Sequence, residues 1–208
     1  MKKYINEILG LIVMLVAFLA AIGWATGIES LATVKYGWII MKPWTAFGLF
    51  TCGLSCISYA YANKCNSRLV RANLRGHGYA CACWIALLQL VVIVDWLYIK
   101  YTTGTNVFLS AGYHVNSSIM NLVPSLVTTF TLLIYGLSGV FGFIKKTAGG
   151  VVASVGGVVL LGYALGLPMM YFDIHGFLTP VAANTGFCFL LLGIAKILET
   201  VQHDRRRN

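Results

Sequence analysis

Residues 180–198 read PVAANTGFCFLLLGIAKIL, a run of nineteen residues whose only charged side chain is Lys196. A helix needs about 20 mainly apolar residues to cross the hydrocarbon core of a bilayer. Comparable runs occupy residues 6–27, 43–62, 79–99, 121–144 and 149–171. The sequence therefore predicts an all-α, polytopic membrane protein in which six transmembrane helices form a single transmembrane domain.

The composition of the chain supports this prediction. Of its 208 residues, 59% are hydrophobic and only 10% are charged, whereas about a quarter of the residues of a soluble domain are charged. The six cysteines form no CxxC pair, and most lie within or beside apolar runs. They are therefore expected to be reduced side chains that pack as small apolar groups, rather than a disulfide framework.

The basic residues are distributed unevenly between the two sides of the predicted membrane. Twelve of the fifteen Lys and Arg residues, Lys196 included, fall on the side of the two chain ends; the other side has Lys35, Lys42 and Lys100. Because cytoplasmic loops carry an excess of Lys and Arg, both termini are predicted to be cytoplasmic, in the inner (cytoplasmic) membrane of a bacterial cell. The net charge of +9 reflects this orientation, and no nucleic-acid partner is expected.

Three of the predicted spans begin with a shared pattern. A proline precedes a threonine, an aromatic residue follows the threonine by two positions, and a Gly-aliphatic pair follows it by eight. The threonines are Thr45, Thr128 and Thr185. The pattern predicts three similar helix-hairpins at about 1–65, 66–144 and 145–208, all in the same orientation, unlike the inverted repeats of many secondary transporters.

The Pro-Thr pattern has two interpretations. Proline and threonine both suit the first turn of a helix, so the pattern can serve helix capping and packing alone. Alternatively, three helix N-termini converge at the outer face and attract an anionic ligand or head group. The candidate ligand-binding residues are then Thr45, Thr128, Asn184 and Thr185. Asp95 joins them as the only acidic residue near the interior of a span, although it is also explained as a hydrated interfacial side chain.

Two further sets of polar residues are candidates for binding. His114, Asp173 and His175 could gather as a metal or proton-sensing site in the outer loops, but their spacing has no metal signature, and neither a metal nor a cofactor is predicted. The second set is a basic segment with partly helical spacing, formed by Lys64, Arg68, Arg71 and Arg75. It could bind anionic lipid head groups, dock an acidic partner, or simply be a positive-inside loop.

Span 5 carries small residues at Gly149, Gly150, Ala153 and Gly157. Small residues at four-residue steps let helix backbones approach closely. The register predicts a tight contact, either within the bundle or with another subunit.

Residues 41–47, MKPWTAF, and 177–194, FLTPVAANTGFCFLLLGI, resemble hairpins of the membrane-embedded N-terminal sensory modules of bacterial signalling proteins. Such modules precede PAS, histidine kinase or diguanylate cyclase domains, and the resemblance covers most of the chain. It implies a sensor whose last helix continues into a cytoplasmic output domain. The present sequence instead reaches Asn208 ten residues after its last span.

No catalytic motif is present: the chain lacks a phosphate-binding GxxxxGK[ST], a GxSxG and an HExxH, so no enzyme activity is predicted. The predicted function is that of a non-catalytic membrane module, either sensory and signal-transducing or a structural subunit of a larger membrane assembly. Its expected partners are the lipid bilayer, anionic lipid head groups at the cytoplasmic face, and other subunits or copies of itself. The alternatives are a small transporter or channel-like carrier, and the membrane anchor of an electron-transfer complex.

Overall fold

The computed structural model describes residues 4–35, 37–103, 124–173 and 179–204. Throughout these ranges the regular structure is helical, without strands. Seven α-helices follow one another: α1 (Ile5–Thr26), α2 (Glu29–Ala32), α3 (Pro43–Ala62), α4 (Arg68–Thr103), α5 (Leu126–Val140), α6 (Lys145–Leu165) and α7 (Ala183–Asp204). Short 3₁₀ turns at Gly142–Ile144 and Pro168–Tyr171 precede and follow α6. The all-α prediction is confirmed.

Five helical segments are long and apolar enough to cross a membrane: Ile5–Thr26, Pro43–Ala62, Arg68–Tyr98, Gly142–Leu165 and Ala183–Val201. The sixth predicted span, 121–144, is represented by α5, which has 15 residues. At 1.5 Å per residue α5 is about 22 Å long, shorter than a hydrocarbon core of about 30 Å. It is short because Ser125 caps its start and Phe141 adopts an extended backbone at its end; residues 121–123 lie outside the described ranges.

Helix α4 is much longer than the predicted span 79–99. It has 36 residues and is therefore about 54 Å long. The additional turns come mainly from the basic segment, so that Arg68, Arg71 and Arg75 lie on the helix itself. Their helical spacing was the sequence signal for this extension.

The helices pack chiefly as the pairs α1 with α3, α4 with α5, and α6 with α7. Helix α3 also contacts α4, α5 and α7, and 72% of its apolar segment is buried, against 28% in α1 and α4 and 33% in α6. The starts of α1, α4 and α6 meet the ends of α3, α5 and α7 at what we call the terminal end. The ends of α1, α4 and α6 and the starts of α3, α5 and α7 lie at the opposite end, the hairpin end.

The outward faces of α1, α4 and α6 expose large apolar side chains. Examples are Leu11, Leu15 and Phe18 on α1, Leu87, Val91 and Val94 on α4, and Leu161 and Leu165 on α6. An apolar surface that surrounds a polar-containing interior is the arrangement that lipid surroundings favour.

The predicted small-residue face of α6 does make a tight contact, in a shifted register. A Cβ atom on Gly156 would overlap the backbone of Leu190, and Gly149 and Ala153 lie against Gly193 of α7. Gly150 and Gly157 instead face open space, with no atom within 4 Å of an added Cβ. The α6–α7 contact therefore occupies one stripe of small residues and leaves the other uncovered.

Candidate functional site

The starts of α3, α5 and α7 converge at the hairpin end. One small cavity there is lined by Lys42, Thr45, Ser125, Thr128 and Thr185, together with apolar neighbours. We call these five residues the polar junction. The structure thus brings together the three threonines that the repeated Pro-Thr pattern singled out.

Local capping explains part of the polar junction. The Ser125 hydroxyl donates to Thr128 Oγ1 at 2.8 Å and accepts from the Thr128 backbone N–H at 3.2 Å. On α3, Pro43 is the first helical residue, and the Lys42 carbonyl accepts from the Ala46 N–H at 3.0 Å. The start of α5 is therefore capped by Ser125 rather than by a threonine, and α3 begins without a side-chain cap.

The size of the cavity limits what the polar junction can hold. Its volume is about 10 Å³, which is about the space that a single water needs. A head group does not fit in this conformation, and Thr45, Thr128 and Thr185 are buried where the three helix starts pack together. Lys42, which sequence reasoning treated as a loop residue, is 5% exposed, and burial lowers the pKa of its ammonium to about 8.

The other predicted ligand-binding residues lie elsewhere. Asn184 is a structural clamp: its Nδ2 donates to the Ala32 carbonyl at 2.9 Å, and its Oδ1 accepts from the Thr185 N–H at 3.1 Å. These bonds fasten the start of α7 to α2. Asp95 is exposed on α4 and does not line the junction cavity.

Of the three metal candidates, the structure describes only Asp173. Asp173 lines a separate cavity at the hairpin end, and His114 and His175 lie outside the described residues. Within the described ranges no three His, Cys, Asp or Glu side chains are placed to hold a metal ion.

A second polar group, which sequence reasoning missed, lies at the terminal end. Lys196 of α7 is 3% exposed, and its Nζ lies 3.9 Å from Glu199 Oε2. Lys145, at the start of α6, approaches Glu199 Oε1 at 3.0 Å. With Tyr59 and Tyr135 these residues form what we call the charge cluster.

Tyr59 and Tyr135 present their ring faces to the two lysines. The Lys196 Nζ lies 4.8 Å from the Tyr135 ring centroid and 5.5 Å from that of Tyr59; Lys145 Nζ lies 4.9 Å from the Tyr59 centroid. The phenol hydroxyls donate to backbone carbonyls, Tyr59 to Gly139 at 3.3 Å and Tyr135 to Cys52 at 3.4 Å. Two cations thus share one carboxylate and two aromatic faces, an arrangement that stabilises charge away from water.

The sequence contained one signal for the charge cluster. Lys196 is the only charge in an apolar run, and Glu199 follows at the i+3 position, where helical side chains meet. The positive-inside tally counted Lys196 as an ordinary surface charge, because such a count takes no account of burial.

The four lipid-binding candidates divide into two groups. Lys64 forms an ion pair with Glu7 and lies over the Tyr4 ring, while Arg71 donates two bonds to the Cys65 carbonyl, at 2.7 and 3.1 Å. Arg68 and Arg75 are exposed. Arg68 and Arg75 are therefore more accessible than Lys64 and Arg71 to a lipid phosphate.

Gln89 and Thr129 lie deeper in the bundle. Both are fully buried, and neither the Gln89 amide atoms nor the Thr129 hydroxyl has a hydrogen-bond partner. Such groups are rare, because an unpaired buried polar atom costs free energy. Gln89 lies against α3, since a Cβ on Gly48 would be 3.8 Å from its Nε2.

Neither a family model, nor a curated protein, nor a solved structure matches this chain. The polar junction and the charge cluster lie at opposite ends of the same three helices, α3, α5 and α7. These helices carry polar groups at both ends. Between the ends, Leu49, Leu132 and Leu192 are buried together with polar residues such as Thr129.

Proposed function

We propose that this protein is a non-catalytic, multi-pass membrane module that transmits a change in the membrane domain through α7. In this proposal α5 and the five long helices all span the bilayer, and the terminal end faces the cytoplasm. The five long apolar helices and the excess of basic residues at the chain ends support this orientation. Helix α5 is short, but it is packed against α3, α4 and α6, so that protein rather than lipid surrounds much of it.

The charge cluster is the observation that carries the proposal. A lysine within a span is costly and commonly functional. Lys196 contacts the rings of Tyr59 on α3 and Tyr135 on α5 and pairs with Glu199 on its own helix. Glu199 in turn pairs with Lys145 of α6. A network of this kind favours one register of α7 against its neighbours, because a shift of α7 would move Lys196 away from the two tyrosine rings and separate Glu199 from Lys145. Packed helices that have two discrete positions are the usual elements of a conformational switch.

The resemblance to bacterial sensory modules supports the same function. In those proteins the last helix leads to the cytoplasmic output domain, and α7 is the corresponding helix. A partner subunit or a second copy of the chain would receive the movement of α7. The uncovered Gly150 and Gly157 stripe on α6 is a surface of the small-residue kind that helix association uses.

The position of α7 can be measured directly. Spin labels on unnatural amino acids at positions 69 and 201 would report the distance between the terminal ends of α4 and α7, without reaction at the six native cysteines. We expect a narrow distribution in the wild type and a second distance in Lys145→Gln, which releases Glu199. The neighbouring Lys146, which is exposed, supplies the control Lys146→Gln. Identical distributions in all three proteins would refute a role for the cluster in setting the register of α7.

The subunit composition of the native complex tests whether the protein is a component of a larger assembly or a sensor. Extraction from its own membrane in mild detergent, followed by mass measurement, separates two cases. Stoichiometric foreign subunits identify a component of a larger assembly; a homo-oligomer, or association with a signalling output protein, supports the sensor.

A second candidate function, a small carrier, is favoured by Gln89 and Thr129, whose unpaired polar atoms lie inside the bundle. Such atoms could line a path for a proton or a small polar solute. Proteoliposomes that contain a pH-sensitive dye test this candidate. Proton flux that is present in the wild type and lost in Gln89→Leu would favour the carrier, and absence of flux from both would remove the proton version.

A further inference from the structure

An apolar crevice opens between α1 and α6, with α7 at its floor. Its volume is about 530 Å³, and its walls include Val16, Leu19, Leu160, Ala164 and Phe187. Val16 lies ten residues before the end of α1 at Thr26, a distance of about 15 Å along the helix. The crevice therefore extends to about half the thickness of a 30 Å hydrocarbon core, which is the depth of one lipid leaflet.

A smaller and more polar chamber adjoins this crevice at the hairpin end. It has a volume of about 250 Å³, and its lining includes Trp38, Tyr163, Tyr171 and Asp173. Trp38 and Tyr163 line both spaces, so the crevice and the chamber share a wall.

The aromatic wall of the chamber is well ordered by its contacts. The Tyr163 ring stacks on Tyr171, with centroids 4.3 Å apart and planes 16° apart, and lies 4.6 Å from the Trp38 ring. The Tyr163 hydroxyl donates to the Val181 carbonyl at 3.1 Å, and the Val181 N–H donates to the Tyr171 carbonyl at 2.9 Å. These bonds fasten the wall to the segment that leads into α7.

Two glycines keep the chamber open. Gly37 and Gly166 both line it and have φ values of 81° and 66°, a left-handed conformation that glycine adopts readily. An added Cβ at either position would meet no atom within 4 Å. At these turns none of the described residues fills the space beside the aromatic wall.

The chemistry of the chamber favours a cation. Tryptophan and tyrosine rings attract ammonium groups, and aromatic cages recognise quaternary ammonium ligands. Asp173 adds a carboxylate, and the lining that the structure describes contains no lysine or arginine. An ammonium group would therefore find attractive partners in the chamber, whereas an anionic group would meet Asp173.

We propose that the crevice and the chamber together bind one membrane lipid, with an acyl chain in the crevice and an ammonium-bearing head group beside Asp173. The proposal rests on the membrane orientation given above, in which the chamber lies at head-group level, where tryptophan and tyrosine are enriched. A lipid is favoured over a soluble amine because the apolar crevice of one-leaflet depth adjoins the chamber, with Trp38 and Tyr163 lining both.

Native mass spectrometry of the full chain in mild detergent tests the proposal. The probes are phosphatidylethanolamine and phosphatidylglycerol with identical acyl chains, which differ in whether the head group carries an ammonium. We expect the wild type to prefer phosphatidylethanolamine by about tenfold and Asp173→Asn to reduce this preference to about twofold or less. Asp95→Asn, which changes an exposed carboxylate on α4, should leave the preference unchanged.

Two further measurements distinguish recognition of the head group from recognition of the acyl chain. Ala164→Phe adds a ring in the crevice and should weaken binding of both lipids while leaving the chamber intact. Free ethanolamine at millimolar concentration should not displace the lipid. Equal binding of the two lipids by the wild type, or full displacement by free ethanolamine, would overturn the proposal. The α7 distance measurement does not involve this site, so either proposal can fail without the other.

Discussion

The charge cluster predicts an asymmetry between two substitutions at one ion pair. Glu199→Gln leaves Lys196, which is 3% exposed, without its carboxylate. Removal of one partner from a buried pair costs about 3–5 kcal/mol, because it leaves an uncompensated charge. The Glu199 and Lys145 side chains are 14% and 20% exposed, so partial hydration places the expected loss near the lower limit, about 3 kcal/mol.

Lys196→Met should behave differently. It removes the buried charge itself and replaces it with an apolar side chain of similar length, and replacement of buried charges by apolar residues is often neutral or stabilising. Glu199 retains Lys145 as a partner at 3.0 Å. We therefore expect a change of about 1 kcal/mol or less, and Glu199→Gln should become almost harmless in the Lys196→Met background.

The assay is equilibrium unfolding in mixed detergent micelles, followed by the loss of helical circular dichroism, for the wild type, both single variants and the double variant. For a chain of this size about 3 kcal/mol corresponds to a fall in melting temperature of about 6–12 °C. Lys146→Gln serves as the matched surface control. If Lys196→Met is as destabilising as Glu199→Gln, or if the two losses simply add, the cluster is not a coupled buried charge network.

Three further outcomes are expected. Because burial lowers the pKa of Lys42 to about 8 from its ordinary value of 10.5, the unfolded state binds more protons between these pH values. The free energy of unfolding should rise from about pH 8 to 10.5, and Lys42→Met should abolish that slope in a pH-dependent unfolding series. Gly156→Ala forces a Cβ against the backbone of Leu190 and should cost about 2 kcal/mol, whereas Gly157→Ala meets open space; equal effects would contradict the α6–α7 contact. Ser125→Ala removes the α5 cap and should cost about 1 kcal/mol, measured as a shift in melting temperature against the wild type.

The predicted helix bounds agree with the structure where turn or loop residues lie at both ends of the apolar run. The span at 43–62 coincides with α3, and that at 6–27 differs from α1 by one residue at each end, because both are bounded by turn or loop residues. The prediction at 121–144 was longer than α5, since the extended backbone at Phe141 interrupts an apolar run that hydropathy reads as continuous. The predicted contact face of α6 also differs from the face that contacts α7, because the positions of the glycines alone do not show which stripe faces that helix.

The sequence likewise predicted only part of the candidate site. The repeated Pro-Thr pattern predicted that Thr45, Thr128 and Thr185 occupy equivalent positions, and they line one cavity. That this cavity has room for about one water depends on how closely three helices from distant parts of the chain approach. Asn184 reaches Ala32 across 152 residues of sequence, a contact for which no local pattern exists.

From the sequence alone it follows that the chain is helical and apolar, that α1 and α3 begin and end within one residue of the predicted bounds, and that most of the positive charge lies near the chain ends and the connections on their side. These properties follow from hydropathy, proline and glycine placement, and charge, each of which acts over one or two helical turns. Two features are visible only in the three-dimensional structure: Lys196 is enclosed by Tyr59, Tyr135 and Glu199, and an aromatic chamber adjoins an apolar crevice. Such features arise from side chains on different helices, and their burial and separation depend on packing between segments that are far apart in the chain.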